Sequence, residues 1–171
     1  MEPIEYHQFQ SMLRSAERAW HLELRDTYSV EFEEAPLDRW RKGEPDDFAW
    51  LEDWLQFIRE LVANGVDVQR LRLVSEPHSE YTEWSISVTP LNVSAGENVR
   101  YLPRAMAKDI EFPEEDCWIL DDDRLILSLF KQDGGSAGFA VEQSPGLLAR
   151  YLAVRDVAWS RAIPFGQYVN R

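Results

Sequence analysis

Hydrophobic positions along the chain alternate between helical and strand spacing, and that alternation predicts most of the elements. Tyr6, Phe9, Leu13, Ala16 and Trp20 follow a helical repeat and place a first helix over about Glu5 to Ala19. In "WHLEL" the period changes to two: Trp20, Leu22 and Leu24 face one side, His21 and Glu23 the other. An acidic connector and a short helix, "PLDRWRK", follow and stop at Gly43. The clearest element is "EPDDFAWLEDWLQFIRELVANG". Its Phe48, Trp50, Leu51, Trp54, Leu55, Phe57, Ile58, Leu61 and Val62 fill half of a helical wheel. Asp46 or Asp47 suits its start and Gly65 its end. So wide an apolar face reads as core packing.

"VQRLRLVSEP" supports a strand through Val68, Leu71, Leu73 and Val74 that breaks at Pro77. The next stretch, residues 79–95, carries both periods, because Trp84, Ile86 and Val88 alternate with Ser85, Ser87 and Thr89. Tyr81, Trp84, Val88, Leu91 and Ala95 keep the helical repeat, and a helix here would serve as the crossover between strands on either side. We read it as helix. "NVRYL", "CWIL", "RLILSLF" and "AGFAVEQ" read as further strands, and "QDGGSAG" has turn chemistry. "SPGLLARYLAVRDVAWSRA" closes the chain as a helix capped by Ser144, with a tail that Phe165 and Tyr168 could dock. The expected fold class is α/β (α+β): one domain over 1–171 with a single mixed sheet of five to six strands flanked by helices. Residues 1–65 would be largely helical with one strand, and residues 66–171 would hold the sheet and closing helices.

Composition narrows the function classes. The chain has 171 residues with 18 basic and 31 acidic, a formal charge of −13. Such a surface repels phosphate backbones and argues against direct nucleic-acid binding. The acid is clustered: Glu31 to Asp53 holds nine acids and three bases, and Glu111 to Asp123 holds seven acids and no base. These are solvated surface or a docking face for a basic partner. The single cysteine, Cys117, reads as a core thiol and the chain as reduced and cytoplasmic. No apolar run reaches the ~20 residues of a membrane span, and "MEPIEYHQFQ" lacks the features of an export signal.

Candidate chemistry is thin, and no motif assigns a reaction. His7, His21 and His78 lack zinc-site spacing, and no nucleophile elbow or phosphate-binding glycine loop occurs. His21-Leu-Glu23 resembles the start of a deaminase motif, whose Pro-Cys-x-x-Cys partner is missing. No cofactor is implied, and the balance leans away from an enzyme. Asp121, Asp122 and Asp123 read as a hairpin turn, since aspartate accepts local backbone N–H groups. The alternative is a divalent-cation site, although the spacing fails the calcium-loop pattern. A small-molecule or hydrolase pocket at the end of the 68–74 strand is the other candidate. Its residues would be Arg72, Glu76, Tyr81, Trp84, Asn92, Glu97, Arg100, Arg155 and Trp159.

Five segments taken together resemble domain-of-unknown-function family 6879. They are "GEPDDFAWLEDWL" (43–55), "VQRLRLVSEPHSEY" (68–81), "NVSAGENVRYLPR" (92–104), "WILDDDRLILSLF" (118–130) and "RDVAWSRAIPF" (155–165). The resemblance implies a compact cytosolic α/β protein, mainly actinobacterial, with no established activity. It also implies a regulatory setting beside a helix-turn-helix regulator, and hence a non-catalytic, partner-binding role with a basic or DNA-binding regulatory protein. The element order from Val68 to Trp159 is similar, at fold level, to half of a phospholipase D-like module. That superfamily's His-x-Lys is absent: the three histidines continue to Phe9, Glu23 and Glu80.

Overall fold

The computed structural model describes residues 1–171. Its frame is a single mixed sheet of eight strands in the order β1-β7-β6-β5-β2-β3-β4-β8. At the centre β2 (Arg18–Glu23), β3 (Asp67–Val74) and β4 (Asn98–Pro103) run parallel. Parallel neighbours need crossovers. α2 (Glu31–Arg41) and α3 (Glu52–Ala63) join β2 to β3, and α4 (Glu80–Ser94) joins β3 to β4. β5 (Asp116–Leu120), β6 (Arg124–Phe130) and β7 (Ser136–Glu142) extend the sheet as an antiparallel meander beside β2. β1 (Glu2–Ile4) pairs with β7, and β8 (Ile163–Pro164) pairs with β4.

The count of eight exceeds the expected five to six because β1 and β8 have only three and two residues. Strands that short carry no readable period. α1 spans Tyr6–Arg14, shorter than the helical repeat implies, because Ala19 and Trp20 are buried as strand residues of β2. α2 starts earlier than expected: Glu31, Glu33 and Glu34 form its first turn, where acids favour the helix N-terminus. The ambiguous 79–95 stretch is helical, with the Ser79 hydroxyl accepting the Thr82 N–H at 3.1 Å.

Both faces of the sheet are covered. α5 (Pro145–Arg161) packs Tyr151 and Ala158 against Trp20, Leu22, Leu71, Leu102 and Cys117. The opposite face lies under α1, α3 and α4, where Phe9, Leu55, Ile58 and Trp84 meet Val68, Trp118 and Ile126. Phe9 stacks flat on Phe139 with centroids 4.1 Å apart. The short α6 (Phe165–Tyr168) docks the tail by stacking Tyr168 on Tyr101 at 4.8 Å. Cys117 is fully buried, and burial raises its thiol pKa well above the ordinary value. No helix is long and apolar enough to cross a membrane.

The aspartate run makes the turn between β5 and β6. Asp121 and Asp122 sit in the left-handed region at φ 52° and 66°, which aspartate tolerates better than most side chains. Asp121 Oδ1 accepts the backbone N–H groups of Glu17 and Arg18, each at 2.8 Å, and Oδ2 meets Arg124 at 2.6 Å. Asp122 is shared by Arg18 and Arg155, and Asp123 meets Arg124 at 3.2 Å. The Asp121 carboxylate therefore ties the hairpin tip to the start of β2. Asp121→Ala should destabilise the fold by about 1–3 kcal/mol, since two N–H groups lose their acceptor. Asp123→Ala, with a side chain 73% exposed, should cost under about 0.5 kcal/mol. Urea unfolding of both variants checks this, and equal costs would refute the tethering role.

Candidate functional site

Strand parity builds the site. In β2, His21 and Glu23 point away from Trp20 and Leu22, and in β3 Arg70 and Arg72 point away from Leu71. The parallel register sets His21 beside Arg70 and Glu23 beside Arg72. On an open sheet this polar row would face water; here α3 and α4 lie over it. Charges under a helix layer must be paired. Glu23 takes Arg72 Nε at 2.5 Å and Arg70 Nη1 at 3.4 Å. Arg70 reaches on to Glu97 with Nε at 2.6 Å, and Asn92 of α4 donates to Glu97 at 3.1 Å. Arg72 also donates to Ser85 of α4. Side-chain exposures of 7% for Arg72 and 0% for Glu97 place this chain of charges in the interior.

Above the row lies a cavity of about 540 Å³. Its walls are mainly aromatic. Trp50 stacks on Trp84 at 5.7 Å, Tyr81 meets Trp84 edge-on at 5.4 Å, and Trp54 meets Trp118 edge-on at 6.2 Å. His21 lies flat on Trp118 at 4.1 Å. Two tyrosine–carboxylate pairs complete the polar lining. Tyr28 donates to Asp116 at 2.5 Å and Tyr81 to Glu33 at 2.7 Å.

The environment separates the titrations of these groups. Burial, helped by Arg70 and Arg72 and opposed by Glu23, lowers the His21 pKa to about 3, so the ring is neutral. Burial pushes Glu23 up, but Arg72 and Arg70 outweigh it and hold its carboxyl at about 2. Burial raises Asp116 to about 6 against the opposing bonds from Tyr28 and the Leu24 N–H. Glu33 is raised by burial too, against the bond from Tyr81.

The candidate list divides. Arg72, Tyr81, Trp84 and Asn92 line the cavity, and Glu97 supports its floor through Arg70. The other four do not join them. Glu76 lies beyond β3 in a loop and pairs with Arg171 of the tail at 2.6 Å. Arg72 and Tyr101 are register partners on one face, so Arg100 falls on the other. There it lies over the Trp159 ring at 4.2 Å, on the α5 side. Arg155, also on α5, pairs with Asp122 and Asp156. Arg155 and Trp159 line a separate, shallower hollow with Arg18 and Gln69. No three His, Cys, Asp or Glu side chains converge as a metal ion would need, the aspartate run included.

Sequence reasoning missed His21, Glu23, Glu33, Arg70 and Asp116. A readable signal existed for three: His-x-Glu and Arg-x-Arg at period two in two strands that pair. The same face of β5 adds Asp116 and Trp118, which no local pattern marks.

The sequence model of the domain of unknown function DUF6879 matches residues 7–170. The chain belongs to this family. No curated protein matches it. Four of the five resembling segments of this DUF6879 chain supply lining residues: Trp50 and Trp54, then Arg70, Arg72 and Tyr81, then Asn92, then Trp118.

The shifted groups give stability a pH signature. Asp116 binds its proton more tightly folded (about 6) than at the ordinary 3.8. The folded state therefore holds more protons between those values, and stability falls as pH rises through that window, by up to about 3 kcal/mol. Glu23 acts oppositely: its contribution is present above about 4.5 and is lost as pH falls toward 2. Asp116→Asn should flatten the decline between pH ~4 and ~6.5, as read from urea midpoints. An unchanged profile would refute the Asp116 assignment.

Proposed function

We propose that this DUF6879 protein is a non-catalytic small-molecule-binding protein whose ligand lies in the aromatic cavity above the Glu23–Arg72 floor. The observation that carries the reading is a cavity of about 540 Å³, walled by Trp50, Trp54, Trp84 and Trp118 and floored by a buried charge network. That volume falls in the range of small-molecule sites, which are mostly apolar with a few convergent polar groups. A planar or alkyl body would lie against the ring faces that line the cavity, and Ser85, Thr89 and Asn92 on α4 offer small polar edges. Binding is favoured over hydrolysis because Asp116 and Glu33 each already hold a tyrosine hydroxyl. The serine hydroxyl that donates to a carboxylate, Ser75 to Asp26 at 2.7 Å, lies outside the cavity.

Titration with small aromatic compounds should quench tryptophan fluorescence saturably. Val88→Phe, which fills the cavity from α4, should abolish that signal while the protein melts at or above the parent temperature. Saturable binding that survives Val88→Phe, or no saturable binding by any compound, would overturn the reading.

A second reading, docking of a basic regulatory protein, is favoured by one surface. Glu31, Glu34 and Asp38 on α2, with Asp47 and Asp53 after it, are exposed, and so is the ring of Phe32 on the same helix. Phe32 also borders the cavity mouth, so ligand occupancy and docking would be coupled there. A helix-turn-helix regulator with a basic patch should bind in low salt and dissociate in high salt. Phe32→Ala combined with Glu31→Lys and Glu34→Lys should remove the complex in gel filtration. Persistence of the complex in that variant would exclude this face.

A further inference from the structure

The charges around the cavity bear on what its ligand carries. Glu23, Glu33, Asp53 and Asp116 line it against only two cations, Arg70 and Arg72. Both guanidiniums are already committed. Arg70 serves Glu97 and Glu23, and Arg72 serves Glu23 and Ser85. Glu33 and Asp116 are different: neither is in an ion pair. Each takes a tyrosine hydroxyl, and Asp116 adds the Leu24 N–H at 2.9 Å. Arg72 and Arg70 act on Glu33, and Arg25 on Asp116, only at longer range, and Glu23 repels both carboxylates. Burial keeps both carboxyls above their ordinary pKa, as expected of carboxylates lacking a counter-charge.

The rings lie around the same two carboxylates. Tyr28 and Tyr81, which hold them, are 5.6 Å apart, and Trp84 and Trp50 continue the surface. The faces of such rings attract cations. A hard metal ion is a poor match, since it needs several converging oxygen ligands. An anion would approach four carboxylates.

Building on the small-molecule reading, we propose that the pocket selects an organic cation. Arg72 already lies over the Tyr28 and Tyr81 rings at 5.9 and 5.8 Å, so the ammonium group would lie near Glu33 and Asp116 against the tryptophan faces, with its apolar body along the remaining rings. The cation supplies the counter-charge that the protein withholds from these two carboxylates.

Three probes of matched size separate the outcomes: 2-phenylethylamine, 2-phenylethanol and 3-phenylpropionate, each titrated by calorimetry. The amine should bind about tenfold or more tighter than the alcohol, and the carboxylate weakest. Glu33→Gln and Asp116→Asn should each weaken the amine about fivefold or more and leave the alcohol unchanged. Amine affinity should rise between about pH 5 and pH 7.5, as Asp116 ionises while the amine keeps its charge. His21 stays neutral throughout that window. Equal or tighter binding of the alcohol or the carboxylate would overturn the cation proposal and leave the pocket standing. Failure of all three to bind would overturn the pocket reading itself.

Discussion

The run of ion pairs Arg72–Glu23–Arg70–Glu97, buried between the sheet and its helical cover, is the constraint on which the rest depends. Two cations and two anions in sequence neutralise one another, and each supplies hydrogen bonds that water would otherwise give. Removing one member would leave an uncompensated buried charge, at a cost of about 3–5 kcal/mol. The helix above has adapted to the run. α4 turns Ser85, Thr89 and Asn92 inward where a conventional core helix would carry leucine. These small polar residues finish the hydrogen bonding: Ser85 to Arg72, Asn92 to Glu97, Thr89 to Tyr101. The inner face of α4 is thus partly hydrophilic, and that explains why residues 79–95 read ambiguously.

The two faces of the sheet show the consequence. On the α5 side the strands present Trp20, Leu22, Leu71, Leu73, Leu102 and Ile119, and the layers close. On the other side the same strands present His21, Glu23, Arg70 and Arg72, and the layers stand apart around a cavity. The apolar material there is not lacking, since Phe9, Trp54, Trp84 and Trp118 all belong to that core. It forms walls because an apolar side chain driven onto the charge row would strip its remaining polar contacts without replacing them.

Most of the fold was legible because it follows from period. The α3 stripe, the β5–β6 hairpin with its aspartates, the capped α5 and the docked tail all come from local pattern and turn chemistry. β1 and β8 were not, being too short to show a period. The site was half legible. Arg72, Tyr81, Trp84 and Asn92 lie near one strand and the helix after it, so proximity in sequence was enough to group them. Arg100, Arg155 and Trp159 needed parity across the register: one residue's shift from Tyr101 to Arg100 moves a side chain to the opposite face. His21 and Glu23 were seen to oppose Trp20 and Leu22, but which face water wets is a tertiary property. Alternation alone does not reveal that both sides of β2 are covered.

The two kinds of carboxylate in the cavity then divide the labour. Glu23 and Glu97 have dedicated arginines, and with them the register of β2, β3 and β4 is fixed whether or not anything occupies the space above. Glu33 and Asp116 sit on elements the register does not need them to hold: one on α2, the other at the start of β5. Each is kept by neutral donors: Glu33 by the Tyr81 hydroxyl, Asp116 by the Tyr28 hydroxyl and the Leu24 N–H. Tyrosine is a weak answer to a buried carboxylate, since it gives a hydrogen bond and no charge. A fold under no demand beyond stability would favour a neutral glutamine or asparagine at either place. Keeping two acids there leaves two carboxylates without counter-charge in the lining of one aromatic cavity. Phe32 and Glu33 place α2, an exposed surface helix, in the wall of that cavity.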